Sequence, residues 1–250
     1  MSIRKILPLA LVLLALLDTA SAVYRQRIKF SGYDWYIRET KEPEGPMNNY
    51  FAGLGRSVDV LPDGGVRLSL SYSDGIWYSA EMWTLRSLGY GTYTFHVRTP
   101  LAWLHPDLVL GLFTYSETGW YHNREIDIEF SSWGADARNA EPSGQFVVQP
   151  YEQDGHLAAF SSAPLDGPST QQFVWTKSRI DFASWLGYGD RPPPGDASLV
   201  SAWSFTDAKL IPKPSAPLHI NLYLMNGQPP GDKEGSIVAI IDSFTFVPAR

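Results

Sequence analysis

The feature that most constrains this chain is the run Glu125-Ile126-Asp127-Ile128-Glu129-Phe130, in which acidic and apolar residues alternate without a break. Successive side chains of a strand point to opposite faces. The run therefore places Glu125, Asp127 and Glu129 on one face and Ile126, Ile128 and Phe130 on the other, where they can enter a core. Three neighbouring carboxylates repel one another, which raises the pKa of at least one of them. A purely structural strand gains nothing from that arrangement. Catalysis by paired carboxylates does, because one must stay protonated as an acid while another stays ionised as a nucleophile.

The rest of the chain agrees with a sheet protein. Residues 30–37 read as a first strand, and 41–49, with two Pro, one Gly and two Asn, as a loop. Residues 58–61 and 66–72 flank Pro62-Asp63-Gly64-Gly65, a hairpin signal. Further strands are expected over 76–84, 92–98, 109–115, 145–151, 173–175, 180–185, 199–205, 218–224 and 237–247. No stretch keeps helical periodicity beyond a turn or two. About a dozen short strands joined by turns predict an all-β antiparallel sandwich, with a concave face wide enough for a chain-like ligand.

A chain of 250 residues with 44% hydrophobic content can build one sizeable core. Residues 1–22 read as a secretory signal: Arg4 and Lys5, then an apolar run, then Ala20-Ser21-Ala22 as a cleavage site. That run is shorter than the roughly 20 residues of a membrane span, and no later segment is apolar enough. The expectation is a secreted or periplasmic mature chain, 23–250, forming a single domain and a monomer. There is no cysteine, hence no disulfide. A net charge of −6 without Lys/Arg clusters argues against nucleic acid as partner. Nine Trp, thirteen Tyr and twelve Phe suit an aromatic-lined groove, but aromatic residues are also common in β cores.

The acid strand resembles the signature of glycoside hydrolase family 16, and three other segments match in order. Residues 88–98, LGYGTYTFHVR, look like the family's "fGYGxYxxRxK" strand upstream of the catalytic strand. Residues 173–180, FVWTKSRI, resemble "F-x-W-x-x-x-x-I", and 219–224, HINLYL, resemble the late "N-L-W" strand. The resemblance spans nearly the whole mature chain. It implies a concanavalin-like jelly roll and cleavage of β-glucans, galactans or related polysaccharides, without a cofactor. Carried over by position, Glu125 matches the nucleophile, Glu129 the general acid/base, and Asp127 the carboxylate that orients the nucleophile and tunes its pKa. Retaining glycosidases hold the two working carboxyls about 5–5.5 Å apart. Strand positions 125 and 129 lie roughly 13 Å apart at Cα, so the two side chains must lean together.

Substrate contacts are expected from Asn49, Glu81, Trp83, Trp120, Tyr121, Trp133, Gln149 and Tyr151. Glu81 sits at the spacing from Gly89-Tyr90-Gly91 where lichenases carry a sugar-binding Glu; it reads equally as a structural hydrogen-bonding acid. Trp83 replaces the Arg that follows it there, a departure that puts a lichenase-like subsite in doubt. Many relatives have a His shortly before position 173, whereas this chain reads Ser169-Thr170-Gln171-Gln172. No extra residue separates Asp127 from Glu129, as in the lichenase and xyloglucan-active branches. Trp83 and Trp133 are expected in the cleft, and Trp35, Trp175 and Trp203 in the core. His122, His156 and His219 lack the spacing of a transition-metal site and read as surface or core residues. Calcium occurs on the convex face in this family, but no acidic loop predicts it here.

Two other readings stand beside a hydrolase. A lectin-like sandwich would keep the groove without turnover, although a binder has no use for a protonated and ionised pair. A transglycosylase would use the same chemistry with a sugar acceptor. A solvated acidic face, or oxygen ligands for a hard metal, is the structural alternative for the triplet.

Overall fold

The alternation is realised as seventeen strands in a computed structural model that describes residues 26–118, 122–135, 140–190 and 197–250. The proposed leader, 1–22, lies outside the described residues. In chain order the first strands are β1 (Arg27–Phe30), β2 (Tyr33–Ile37), β3 (Tyr50–Phe51), β4 (Val58–Val60), β5 (Val66–Ser69), β6 (Ser71–Ser73), β7 (Ile76–Thr84) and β8 (Gly91–Val97). Then come β9 (Leu108–Thr114), β10 (Ile126–Phe130), β11 (Gly144–Val148), β12 (Leu157–Phe160), β13 (Ser169–Trp175) and β14 (Ile180–Leu186). β15 (Leu199–Phe205), β16 (Leu218–Leu224) and β17 (Val238–Pro248) complete the set.

Ten strands form one sheet, in the order β1-β2-β7-β16-β9-β10-β11-β12 with β3 and β6 on β7; seven form the other, β15-β14-β13-β8-β17-β5-β4. Every pairing except β3 with β7 is antiparallel. This is the expected sandwich. One core lies between the sheets, holding Ile126, Ile128 and Phe130 from the acid strand with Leu110, Leu112, Ile220 and Leu222 from its neighbours. Trp35 and Trp175 are fully buried there, while Trp203 packs half-buried against it.

Three differences from expectation have local causes. Residues 30–37 are not one strand: Ser31 and Gly32 both take positive φ, 51° and 81°, and turn the chain into the β1–β2 hairpin. Residues 66–72 split at Leu70, so that β5 joins the smaller sheet and β6 pairs with β7 in the larger. β12 was not anticipated, because Leu157-Ala158-Ala159-Phe160 lacks β-branched residues and polar alternation; it completes the larger sheet beside β11. No helix among the described residues is long and apolar enough to cross a membrane.

Candidate active site

Sheet register, not proximity in sequence, assembles the site. On the side of the larger sheet turned away from the core, one row of facing residues runs Val147–Asp127–Phe113–His219–Trp83–Tyr36 across six strands. The next row runs Gln145–Glu129–Gly111–Asn221–Glu81. A cavity of about 870 Å³ opens over both rows, lined by Glu125, Asp127 and Glu129 and, from neighbouring strands, by Glu81, Trp83, Phe113, His219, Asn221 and Tyr223. Gly111 forms its floor beside Glu129. A Cβ there would come within 2.6 Å of Asn221 Oδ1, which accepts the Gly111 N–H at 3.1 Å.

Both ends of the acid strand are entered through unusual backbone. His122, Asn123 and Arg124 have φ of 44°, 57° and 56°, and Trp133 has φ of 52°. Left-handed conformation costs non-glycine residues roughly 1–2 kcal/mol each. Hydrogen bonds hold the entry segment in place: Thr114 Oγ1 donates to Arg124 O at 2.9 Å, and the Ser116 and Glu125 N–H groups donate to Asn123 O and His122 O. Such strain clusters where side chains must be aimed.

Burial raises all three carboxyls of the triplet, and repulsion adds to it at Glu125 and Asp127. Glu125 is pushed up to about 8 by burial and by the charge of Glu129. Asp127, only 3% exposed, is raised by burial and by both glutamates. Glu129 is raised by burial, against a hydrogen bond from Gln145 Nε2 at 2.6 Å. Asp127 and Glu125 share a hydrogen bond that lowers Glu125 and raises Asp127, so it favours the proton on Asp127. Gln149 Nε2 donates to Asp127 Oδ2 at 3.3 Å and supports its other side. The triplet thus holds a proton at neutral pH next to a carboxylate, which suits acid–base and nucleophilic work.

The other sequence candidates divide. Glu81 is buried in the cavity wall: Arg38 Nη1 donates to its Oε2 at 2.6 Å and His219 Nδ1 donates to its Oε1 at 2.8 Å. Burial alone would push Glu81 up, but His219 and Arg38 outweigh it and hold the carboxyl below the usual range. Trp83 lines the cavity, with its ring stacked on His219 and tilted against Tyr36. Asn49 is 2% exposed and fully spent. Its Nδ2 donates to Pro46 O and Leu224 O, and its Oδ1 accepts from Ser79 Oγ and the Leu224 N–H. It clamps the 41–49 loop to the end of β16, which corrects the expected sugar contact. Tyr151 is 54% exposed, offers its backbone N–H to Gln149 Oε1, and does not line the cavity. Trp133 follows β10 at the Glu129 end and also stays out of the lining. Trp120 and Tyr121 lie outside the described residues.

Four residues of the site escaped the sequence reading: Arg38, Tyr223 and His219, which line the cavity, and Gln145, which hydrogen-bonds Glu129. Gln145 shares the alternation of Gln149 and could have been found by it. Tyr223 lies two residues from Asn221 on the same face of β16, and burial next to Glu129 and its neighbours raises its hydroxyl pKa. His219, expected on the surface or in the core, instead lines the cavity at 8% exposure. His156 is a core residue bound to Val148 O through Nδ1, and His122 is exposed. Among the described residues, no group of three or more His, Cys, Asp or Glu side chains is placed to hold a metal ion.

No protein-family model matches this sequence, and no curated protein matches it. Solved structures do match in fold. A Bacillus licheniformis β-glucanase aligns over 86% of this chain and 92% of its own, at 20% identity and a TM-score of 0.59. A prokaryotic β-1,3-1,4-glucanase (lichenase) from a mouse hindgut metagenome aligns over 86% and 93%, at 21% identity and a TM-score of 0.59. A family-16 endo-glucanase from Bacteroides ovatus aligns over 85% and 94%, at 12% identity and a TM-score of 0.60. The chain therefore has the sandwich fold of the family-16 glycoside hydrolases, as the sequence resemblance implied.

Proposed function

We propose that this chain, with the family-16 sandwich fold as its scaffold, is an exported endo-β-glycosidase that cleaves a β-glucan or related polysaccharide with retention. The observation that carries the reading is the clustered triplet Glu125, Asp127 and Glu129, with Asp127 buried between two partly buried glutamates, on one wall of a cavity large enough for several sugars. The shared fold with three glucanases supports it.

In this reading a Glu125 carboxylate oxygen attacks the anomeric carbon while Glu129 gives its proton to the departing glycosidic oxygen. Asp127, hydrogen-bonded to Glu125, keeps the proton that would otherwise quench the nucleophile. Glu129, now ionised, takes a proton from water, and the resulting hydroxide displaces Glu125 from the sugar. Two inversions at one carbon preserve the β configuration. The cavity lining carries seven carboxyl side chains against one guanidinium, that of Arg38. Such a field repels sulfated or carboxylated polymers and favours uncharged ones.

The test is a digestion panel of mixed-linkage β-glucan, laminarin, xyloglucan, agarose and carrageenan, with the mature protein and Glu125→Gln in parallel. Oligosaccharides from a neutral polymer, absent with the variant, are the expected result. Binding without cleavage by either protein points to the lectin alternative. Lengthened rather than shortened products point to a transglycosylase.

A further inference from the structure

His219 has no place in the chemistry above, yet it stands in the same cross-strand row as Asp127, with only Phe113 between them. At roughly 4.8 Å per strand, the two Cα atoms are about 10 Å apart, so a glycan held at Asp127 passes over His219 with an adjacent sugar. The imidazole cannot turn. Trp83 stacks on it at 5.7 Å and 10°, Phe113 leans on it at 5.0 Å, and Tyr115 meets it edge-on at 5.9 Å.

Its Nδ1 partner is fixed as well as its orientation. Arg38 Nη1 pairs with Glu81 Oε2 at 2.6 Å, and an ionised carboxylate can only accept hydrogen bonds. The 2.8 Å contact between His219 Nδ1 and Glu81 Oε1 therefore puts a hydrogen on Nδ1. In the neutral ring, Nε2 is then the acceptor. It has no partner among the described residues, and it is not one of the buried polar atoms left without one, so it has access to the cavity. Arg38, in turn, is braced by Glu44 at 2.8 Å. Glu44, Arg38, Glu81 and His219 thus form a hydrogen-bonded series whose free end is one aimed acceptor.

We infer that His219 Nε2 is a specificity-determining contact: it accepts a hydrogen bond from one hydroxyl of the sugar next to the one being cleaved, and Glu81 and Arg38 act as positioning residues behind it. The inference rests on the glycosidase reading and assigns this end of the cavity to an uncharged sugar with a free hydroxyl at that point. A sugar substituted there, by a branch or an ester, would leave Nε2 unpaired and meet the wall formed by Trp83.

The experiment compares wild type, His219→Phe and His219→Gln on mixed-linkage β-glucan, laminarin and xyloglucan, then on aryl β-oligoglucosides of the cleaved linkage. One set of these lacks single hydroxyls on the sugar adjacent to the cleaved one. Phe keeps the stacking on Trp83 and loses both ring nitrogens; Gln keeps a donor and an acceptor. A neutral hydrogen bond is worth about 0.5–1.5 kcal/mol. With His219→Phe, KM on the parent oligosaccharide should rise roughly three- to tenfold, with His219→Gln recovering part of it. One deoxy substrate should cost wild type a similar factor and His219→Phe nothing further, as coupled partners require. Equal deoxy penalties in wild type and His219→Phe overturn the inference, as does a loss confined to kcat. If His219→Phe fails to fold, the comparison of wild type with His219→Gln still decides it by the same coupling. Absence of cleavage by wild type on every polymer overturns the glycosidase reading itself, and the inference with it.

Discussion

Gln145 is the residue whose removal should report most directly on the charge state of the site. It faces Glu129 across the β10–β11 ladder and donates Nε2–H to its Oε2 at 2.6 Å. That bond favours the ionised carboxyl and opposes the upward push of burial. A hydrogen bond to a charged group is worth about 1.5–3 kcal/mol. At 1.36 kcal/mol per pKa unit, replacing Gln145 with Leu should raise the Glu129 pKa by about one to two units. Glu129 acts first as an acid in the proposed mechanism. Holding its proton to higher pH therefore moves the basic limb of the kcat/KM profile upward, with the limb belonging to the coupled triplet as a whole. The assay is the pH dependence of kcat/KM for wild type and Gln145→Leu on the polymer the protein degrades. A basic limb that stays in place, or moves to lower pH, refutes both the role of the hydrogen bond and the assignment of Glu129 as the acid.

Two further outcomes can be read by thermal unfolding. Asn49→Ala should lower stability by about 2–4 kcal/mol, because it strands buried partners on Pro46, Ser79 and Leu224; an unchanged Tm would contradict its clamp role. Glu125 has its pKa raised from 4.5 to about 8, so its contribution to stability is present below about pH 4.5 and is lost as pH rises to 8. Glu125→Gln removes that loss and should melt higher than wild type at pH 8 but not at pH 4, by roughly 2–4 °C for each kcal/mol. Equal differences at both pH values would mean that the carboxyl is not perturbed.

The acid strand was legible because its information is local: six alternating residues specify a face, and the face specifies the chemistry. The sandwich was legible for the same reason, since each strand carries its own pattern. What sequence could not supply was strand order. His219, Glu81 and Arg38 lie far apart along the chain and meet only because β16 is inserted between β7 and β9 and the chain after β2 runs beside β7. Asn49 shows the opposite failure. A polar residue after a Pro/Gly loop looks available for a ligand, yet its four hydrogen bonds are all to protein groups with no sequence signature. Gln145 was within reach, for it repeats at period two with Gln149, but alternation does not reveal which polar residue faces a carboxylate.

The division of β9, β10 and β16 into a core-facing and a cavity-facing side bears on how such a protein can change. Leu110, Leu112, Ile126, Ile128, Ile220 and Leu222 hold the sheets together from behind, whereas Phe113 and Tyr223 face the cavity. Exchanging a cavity-facing residue leaves the packing behind it intact, so its cost is confined to contacts within the cavity, such as the ring of Phe113 against His219. A randomised library confined to positions 113 and 223 should therefore return mostly folded members with altered polymer preference. The same effort spent one residue further along any strand should return mostly unfolded ones. New specificity on this scaffold is thus cheap to explore, because the positions that choose the ligand are not the positions that hold the fold.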